Sequence, residues 1–312
     1  MMKYRPYADT GKEVSEVGFG AWQLGNAVDW TAMSDDNAIS LVHHAIDDGC
    51  NYFDTAPGYG RGNSETLLGR ALAGRRHDVV INTKCGHHAD GTTDFSPERI
   101  RESVESSLRR LQTDYLDSVL LHNPSFDMLN GGSPQFEVLA RLREEGKILA
   151  YGASVDSSRE MFEVVRTSGS TVMEVLFNIF HQETRLAFDE AHAKGIALVV
   201  KVPLDSGWLS GKYHRKSEFS GIRSRWPKDV IERRAALVEE LARLLQGQAS
   251  VLEAALSFIL AQEAVTTVIP GCKSIQQWDT NRAAAYHGLS PAMVEQIQAF
   301  WEERLAKDPL PW

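Results

Sequence analysis

Short apolar, β-branched runs alternate along the chain with amphipathic stretches of helical period. The runs end near Gly20, Asp54, Lys84, His122, Ser154, Asn178, Val202 and Ile269. Successive ends lie 34, 30, 38, 32, 24, 24 and 67 residues apart, and each of the first six intervals suits one strand, one loop and one helix. The last is long because it holds a polar loop (203–228) and two helical patterns. Ala38, Val42, Ala45 and Ile46 mark one apolar helix face. Ile100, Val104, Leu108 and Leu111 mark another, opened by a Ser96 cap and Pro97. Ser290-Pro291 opens a last helix carrying Val294, Ile297, Trp301 and Leu305 on one side. Runs such as VVINTK (79–84) and SVLLH (118–122) begin apolar without alternation, as parallel strands covered on both faces do.

Eight strands alternating with helices predict an α/β protein folded as one (β/α)8 TIM barrel domain spanning residues 1–312. An open dinucleotide-binding sheet is the rival, and its first strand–helix turn needs G-x-G-x-x-G. Here GFGAWQLG (18–25) puts the third glycine at 25 rather than 23. The D-T-G-K turn in YRPYADTGKEVSEVG predicts an N-terminal β-hairpin closing the barrel bottom, and the chain is expected to end on a helix.

Composition narrows the class of partner. The 312 residues are 43% hydrophobic and 24% charged, an ordinary globular balance. A net charge of −9 disfavours general nucleic-acid binding. No apolar run approaches a membrane span or a secretory signal. Three cysteines, none in a C-x-x-C, fit a reduced cytoplasmic compartment.

Function in such a barrel gathers at the C-terminal ends of the strands. Three consecutive predicted strands end in chargeable groups, Asp54, Lys84 and His122, and Tyr59 follows in a loop flanked by glycines. Singly, each reads as a helix cap, a snorkelling lysine, a core histidine or a packing aromatic; together they read as a site. A phenol titrates near 10. A lysine ammonium at about 4 Å attracts its phenolate by roughly 4 kcal/mol at an effective dielectric of about 20, which would bring Tyr59 towards a working range. Asp54 would balance Lys84, and His122 would orient a substrate oxygen. This chemistry suits proton transfer to a carbonyl oxygen while hydride arrives at carbon.

Nucleophilic and metal chemistry fit less well. No G-x-S-x-G occurs. If Lys84 points into the barrel mouth, its strand neighbour Cys85 points away. The pairs His43-His44 and His87-His88 lack the spacing of two ligands on one helix face and read as surface or loop residues, so no metal site is expected. Residues 201–228 carry seven basic side chains (Lys201, Lys212, Arg215, Lys216, Arg223, Arg225, Lys228) against Asp205 and Glu218. This loop, and VIPGCKS (268–274) with Gly271 and Lys273, fall where barrels commonly hold phosphates. Trp22, Trp30, Trp208 and Trp226 are candidates for an apolar substrate pocket.

The segment GCNYFDTAPGYGRGNSETLLGRAL (49–72), followed in order by INTKCG, LLHNP, EEGKILAYGAS, FNIFHQ, VPLDSGWLSGKY and VIPGCKSIQQWDTN, resembles the aldo-keto reductase family over nearly the whole chain. The resemblance implies a (β/α)8 barrel and NADP(H) as cofactor, with NAD(H) as the alternative. It implies Tyr59 as general acid, Lys84 and Asp54 as its tuning pair, and His122 orienting the carbonyl, with Trp22 and Asn123 beside the substrate. Cofactor contacts are implied at Gly20, Ala21, Trp22, Asp54, Ser154, Glu174, Lys201, Pro203, Leu204, Ser206, Gly207, Leu209, Lys212, Arg223, Gly271, Lys273, Gln277 and Asn281. Four positions depart from the family pattern. Val155 replaces an Asn, Glu174 stands where many members bind the carboxamide with Gln, and Lys201 stands where a Tyr often stacks on the nicotinamide. Gln277 replaces an Arg of some NADPH-selective members, leaving the 2′-phosphate to Lys273. The implied activity is reduction of an aldehyde, ketone or sugar carbonyl. The alternatives are an NAD-linked sugar or alcohol dehydrogenase and, in another class, a nucleotide-sensing binding module.

Overall fold

The computed structural model describes residues 1–219 and 221–311. Strands β1 (Tyr4–Tyr7) and β2 (Lys12–Ser15) form an antiparallel hairpin. Eight parallel strands follow: β3 (Phe19–Gly20), β4 (Tyr52–Asp54), β5 (Val80–Cys85), β6 (Leu116–His122), β7 (Ile148–Val155), β8 (Val172–Leu176), β9 (Ala197–Lys201) and β10 (Val265–Val268). Each pairs with the next in sequence. The ring closes where Gly18 N–H donates to Val268 O and Val268 N–H donates to Glu16 O, both at 2.9 Å. The expected (β/α)8 barrel and the hairpin at its base are both present.

Helices cover the outside: α1 (Asp35–Asp47), α2 (Asn63–Ala71), α3 (Pro97–Leu111), α4 (Pro134–Glu144), α5 (Ser158–Thr167), α6 (Phe188–Ala193), α7 (Lys228–Leu245), α8 (Val251–Leu260), α9 (Ile275–Ala285) and α10 (Pro291–Arg304). The interval between β9 and β10 holds α7 and α8, the two helical patterns expected there. Ser157 with Glu160 and Ser250 with Glu253 make reciprocal capping boxes. Ser290 caps α10, whereas the Ser96 hydroxyl makes no cap bond and Pro97 alone opens α3.

The period of two along each strand divides the apolar residues into two layers. Tyr52, Val80, Leu120, Ala150, Val172, Ala197 and Val199 fill the barrel interior with Tyr7 and Val14 of the hairpin. Phe53, Ile81, Cys85, Val119, Leu121, Ala153 and Met173 face the helices. Gly152 permits the closest strand approach, since a Cβ there would lie 1.7 Å from the Val172 carbonyl oxygen. Above the apolar floor the inward positions turn polar, which places the chemistry at the C-terminal mouth. Among the described residues no helix is long and apolar enough to cross a membrane, and no cluster of His, Cys, Asp or Glu could hold a metal ion.

Candidate active site

On β5, Val80 faces the interior and Lys84, two steps of the pleat further on, faces it too; Cys85 faces the helices, where burial pushes its thiol up to about 12. Lys84 Nζ donates to both Asp54 oxygens at 2.7 Å and to Thr55 O at 3.1 Å. It also meets Glu174 Oε2 at 3.1 Å from the far side of the barrel. Asn82 Nδ2 donates to Asp54 Oδ2 at 2.7 Å. The ammonium lies 5.3 Å from the centre of the Tyr59 ring. The His122 and Trp22 rings each lie 6.0 Å from that ring. The four residues expected to act together therefore converge.

Their ionisation differs in one respect from expectation. Burial raises the Tyr59 phenol above its ordinary range; Lys84 pulls it down, but Asp54 and Glu174 push it back up. The nearest cation does not decide the outcome, because burial outweighs it and two carboxylates share it. Burial, then Glu174, push Asp54 up to about 8 against the pull of Lys84. Glu174 is held below the usual carboxylate range: burial opposes this, but Lys84 and Lys201 outweigh it. Burial, Lys84, Lys201 and His87 hold His122 well below its ordinary value, so its imidazole is neutral.

A cavity of about 800 Å³ runs from this cluster across the barrel mouth. It is lined by Gly20, Trp22, Asp54, Tyr59, His122, Asn123, Glu174, Lys201, Pro203, Leu204, Ser206, Gly207, Lys212, Arg223, Gly271, Gln277 and Asn281, all expected from sequence. Lys84 lies buried beneath it, and Ala21 and Leu209 are buried in the core. Ser154 is fully buried and reaches the cavity through its partners, receiving Lys201 Nζ at 2.8 Å and donating to Asn123 Oδ1 at 2.9 Å. Lys201 also pairs with Asp156 at 2.8 Å. Lys273 lies outside the main cavity, on a second one of about 410 Å³ that shares Gln276 with it.

The basic loop is less uniform than its composition. Lys212 and Arg223 reach the cavity, whereas Arg215 pairs with Glu239, Lys228 with Glu232, and Lys216 is exposed. Arg223 lies over the Trp30 ring at 4.7 Å and donates to Ser206 O at 2.9 Å. The loop is strained: Val202, Asp205 and Ser206 all have positive φ (54°, 44° and 54°). A fully buried pair holds it, with Arg234 Nε donating to Asp205 Oδ2 at 2.9 Å.

One expectation needs correction. Trp208 and Trp226 belong to a buried cluster with Tyr213 and Phe219, so only Trp22 and Trp30 of the four tryptophans line the cavity. His87 lies in the loop after β5, half-buried, and takes on a place the sequence did not assign it: it lines the cavity with its ring 5.0 Å from that of His122. Its place three residues beyond Lys84, just past a strand end, was the available signal. Gln23, Asp29, Gln276 and Thr280 also line the cavity; three of them fall inside the motif segments, but nothing singled these residues out.

A closed parallel barrel with a phenol, an ammonium, a carboxylate and an imidazole at its C-terminal mouth defines a class, the barrel oxidoreductases of carbonyl compounds. The chain belongs to the aldo/keto reductase family, whose model matches residues 16–302. It is 31% identical to the uncharacterized oxidoreductase YqkF of Bacillus subtilis, over 98% of this chain and 99% of that one. It is 30% identical to L-galactose dehydrogenase of Arabidopsis thaliana, over 96% and 95%. The aldo-keto reductase AKR11C1 from Bacillus halodurans, in its holo form, superposes with a TM-score of 0.82 at 29% identity, covering 96% of each chain.

Proposed function

We propose that the protein interconverts an aldehyde, ketone or sugar carbonyl with its alcohol using a nicotinamide dinucleotide, with Tyr59 as general acid and base. The observation that carries this reading is the convergence of Tyr59, Lys84, Asp54 and His122 at one end of a long cavity whose other parts offer basic and amide side chains.

The residues present fit such a cofactor. Among the described residues, Gln23 Oε1, Trp30 Nε1 and His122 Nδ1 are buried at this cavity without a hydrogen-bond partner. Lys212 and Arg223 offer positive charge for phosphates, Ser206 and Gly207 a close backbone, and Gln277 and Asn281 polar contacts at the far end. When bound, the dinucleotide supplies or accepts the hydride. NADP(H) is favoured on the family resemblance; the place of Lys273, outside the main cavity, keeps NAD(H) as the alternative.

In reduction, Tyr59 enters as a protonated phenol, the form its surroundings favour, and gives its proton to the carbonyl oxygen. Lys84 stabilises the phenolate left behind. The neutral His122 ring can hold the substrate oxygen without adding charge. Trp22 and Trp30 form an apolar wall, and the similar L-galactose dehydrogenase makes a sugar hemiacetal a candidate in the oxidising direction.

The test is turnover of NADPH and NADH with a panel of aldehydes and ketones, and of NADP⁺ and NAD⁺ with sugars. Tyr59→Phe should lower kcat by about 10²–10⁴-fold while dinucleotide affinity stays within a factor of about three. Wild-type rates in the variant on every good substrate would overturn the assignment of Tyr59. Tight dinucleotide binding with no turnover on any substrate would favour a nucleotide-sensing module.

A further inference from the structure

The charges at the head of the cavity do not balance. Asp54, Lys84 and Glu174 are each at most 2% exposed. One ammonium touches two carboxylates, at 2.7 and 3.1 Å. The surrounding groups do not supply the missing positive charge. Lys201 pairs with Asp156. His122 and His87 are both held below the ordinary histidine value, so both rings are neutral. Tyr59, and Tyr52 and Tyr7 beneath it, have phenols pushed above their ordinary value, so they are neutral too. Glu174 lines the cavity with the Lys84 ammonium at 3.1 Å as its nearest cation, which it shares with Asp54, while Lys201, which also attracts it, is paired with Asp156. A buried carboxylate without its own cation must recruit one or take up a proton.

The oxidised nicotinamide ring is a cation and the reduced ring is neutral. We propose that Glu174 makes this cavity select the oxidised form of the dinucleotide over the reduced form, the ring's positive charge balancing the second carboxylate. This rests on the reading that a nicotinamide dinucleotide binds here. In the free protein one proton is shared by Asp54 and Glu174, with Asp54 pushed up to about 8 by burial and by Glu174. When the cation binds, that proton leaves to solvent. The reduced ring has no charge with which to displace it. Glu174 is thus a specificity-determining residue for cofactor redox state, and it loads the site for oxidation of an alcohol or hemiacetal.

The experiment is calorimetric titration of the wild-type protein with NADP⁺, NADPH, NAD⁺ and NADH, in buffers of different ionisation enthalpy, from pH 6 to 9. The better-bound cofactor pair should show oxidised over reduced by about tenfold or more at pH 8. Binding of the oxidised form should release about one proton at pH 7, and binding of the reduced form none. The oxidised form should tighten as pH rises to about 8 and then level. Glu174→Gln should remove both the preference and the proton release, and Glu174→Asp, which keeps the charge, should restore them. Equal preference in wild type and Glu174→Gln, or no proton release in the wild type, overturns the inference and leaves the oxidoreductase reading standing. Failure of the wild type to bind any of the four dinucleotides overturns that reading instead. The wild-type proton count decides the matter even where a variant fails to fold.

Discussion

Replacing Lys84 by Met keeps an unbranched side chain of nearly the same length and deletes the charge at the centre of the site. The ammonium contacts both Asp54 oxygens at 2.7 Å and Glu174 at 3.1 Å, with no side-chain exposure. At about 3 Å and an effective dielectric of about 20, each carboxylate attracts it by roughly 5 kcal/mol, much of which offsets the cost of taking the ions out of water. What Lys84→Met exposes is the remainder: two carboxylates left buried without a cation. Breaking a buried pair in this way costs about 3–5 kcal/mol, and that is the loss expected at pH 9. Protons can substitute for the ammonium, so the loss should depend on pH. Asp54 stands at about 8 even with Lys84 beside it and moves higher without it. A carboxyl whose folded pKa exceeds its unfolded value, about 4, stabilises the fold below that value, and its contribution falls as pH rises through the folded pKa. The deficit of the variant should therefore shrink to about 1–2 kcal/mol at pH 5, where lost hydrogen bonds remain. Urea unfolding of both proteins at pH 5, 7 and 9 measures it. Adding Glu174→Gln to Lys84→Met removes one carboxylate and should recover about half of the loss at pH 9. A deficit below about 1 kcal/mol at pH 9, or one that is the same at all three pH values, would refute the reasoning.

Two further outcomes follow from buried geometry away from the reacting groups. Arg234→Ala takes the guanidinium from buried Asp205 beneath the strained 202–206 loop and leaves it His181 at 3.4 Å; it should lower stability by about 2–4 kcal/mol and weaken dinucleotide binding. Denaturant unfolding and a dinucleotide titration check both, and an unchanged affinity would separate the loop from the cofactor. Gly152→Ala drives a methyl into the Val172 carbonyl between β7 and β8; a loss of at least about 3 kcal/mol is expected in thermal or urea unfolding, and a loss under about 1 kcal/mol would show that the strands can part.

The tetrad was legible because strand geometry is local. Once Val80 faces inward, Lys84 must as well and Cys85 must not, and Asp54 and His122 end their own strands. What resisted reading depends on distances across the barrel. β5 and β8 are not neighbours in the sheet, so nothing in the sequence shows that Glu174 reaches Lys84 through the interior. The expected lowering of the Tyr59 pKa fails first because the phenol is buried, and then because Asp54 and Glu174 offset the pull of Lys84; a sequence shows the nearest cation, but neither the burial nor how many carboxylates divide it. The basic loop misled in a similar way, since composition counts Arg215 and Lys228 while the fold spends them on Glu239 and Glu232. Trp208 and Trp226 are buried in the same stretch because the loop needs a core of its own to hold its strained turn.

The hairpin beneath the barrel is connected to this chemistry by a chain of hydrogen bonds with a fixed sense. Asn82 uses its amide N–H₂ on Asp54 Oδ2 at 2.7 Å, so its carbonyl oxygen is left to accept, and it accepts from Ser118 Oγ at 2.5 Å. The single Ser118 proton is then committed, and the bond of 2.6 Å between Ser118 Oγ and the Tyr7 hydroxyl must be donated by Tyr7. Every donor on this path points towards Asp54. The sense matters because Asp54 shares its only cation with Glu174, and a neutral donor on Oδ2 stabilises its ionised form without adding a charge. The same hairpin seals the apolar floor with Tyr7 and Val14, keeping water from the underside of the site. Burial raises the cost of each charge above that floor, while the hydrogen-bond chain limits the cost for one of them. A barrel with the same four residues but an open base would lose both effects, so β1 and β2 belong to the candidate site's electrostatics as well as to the fold.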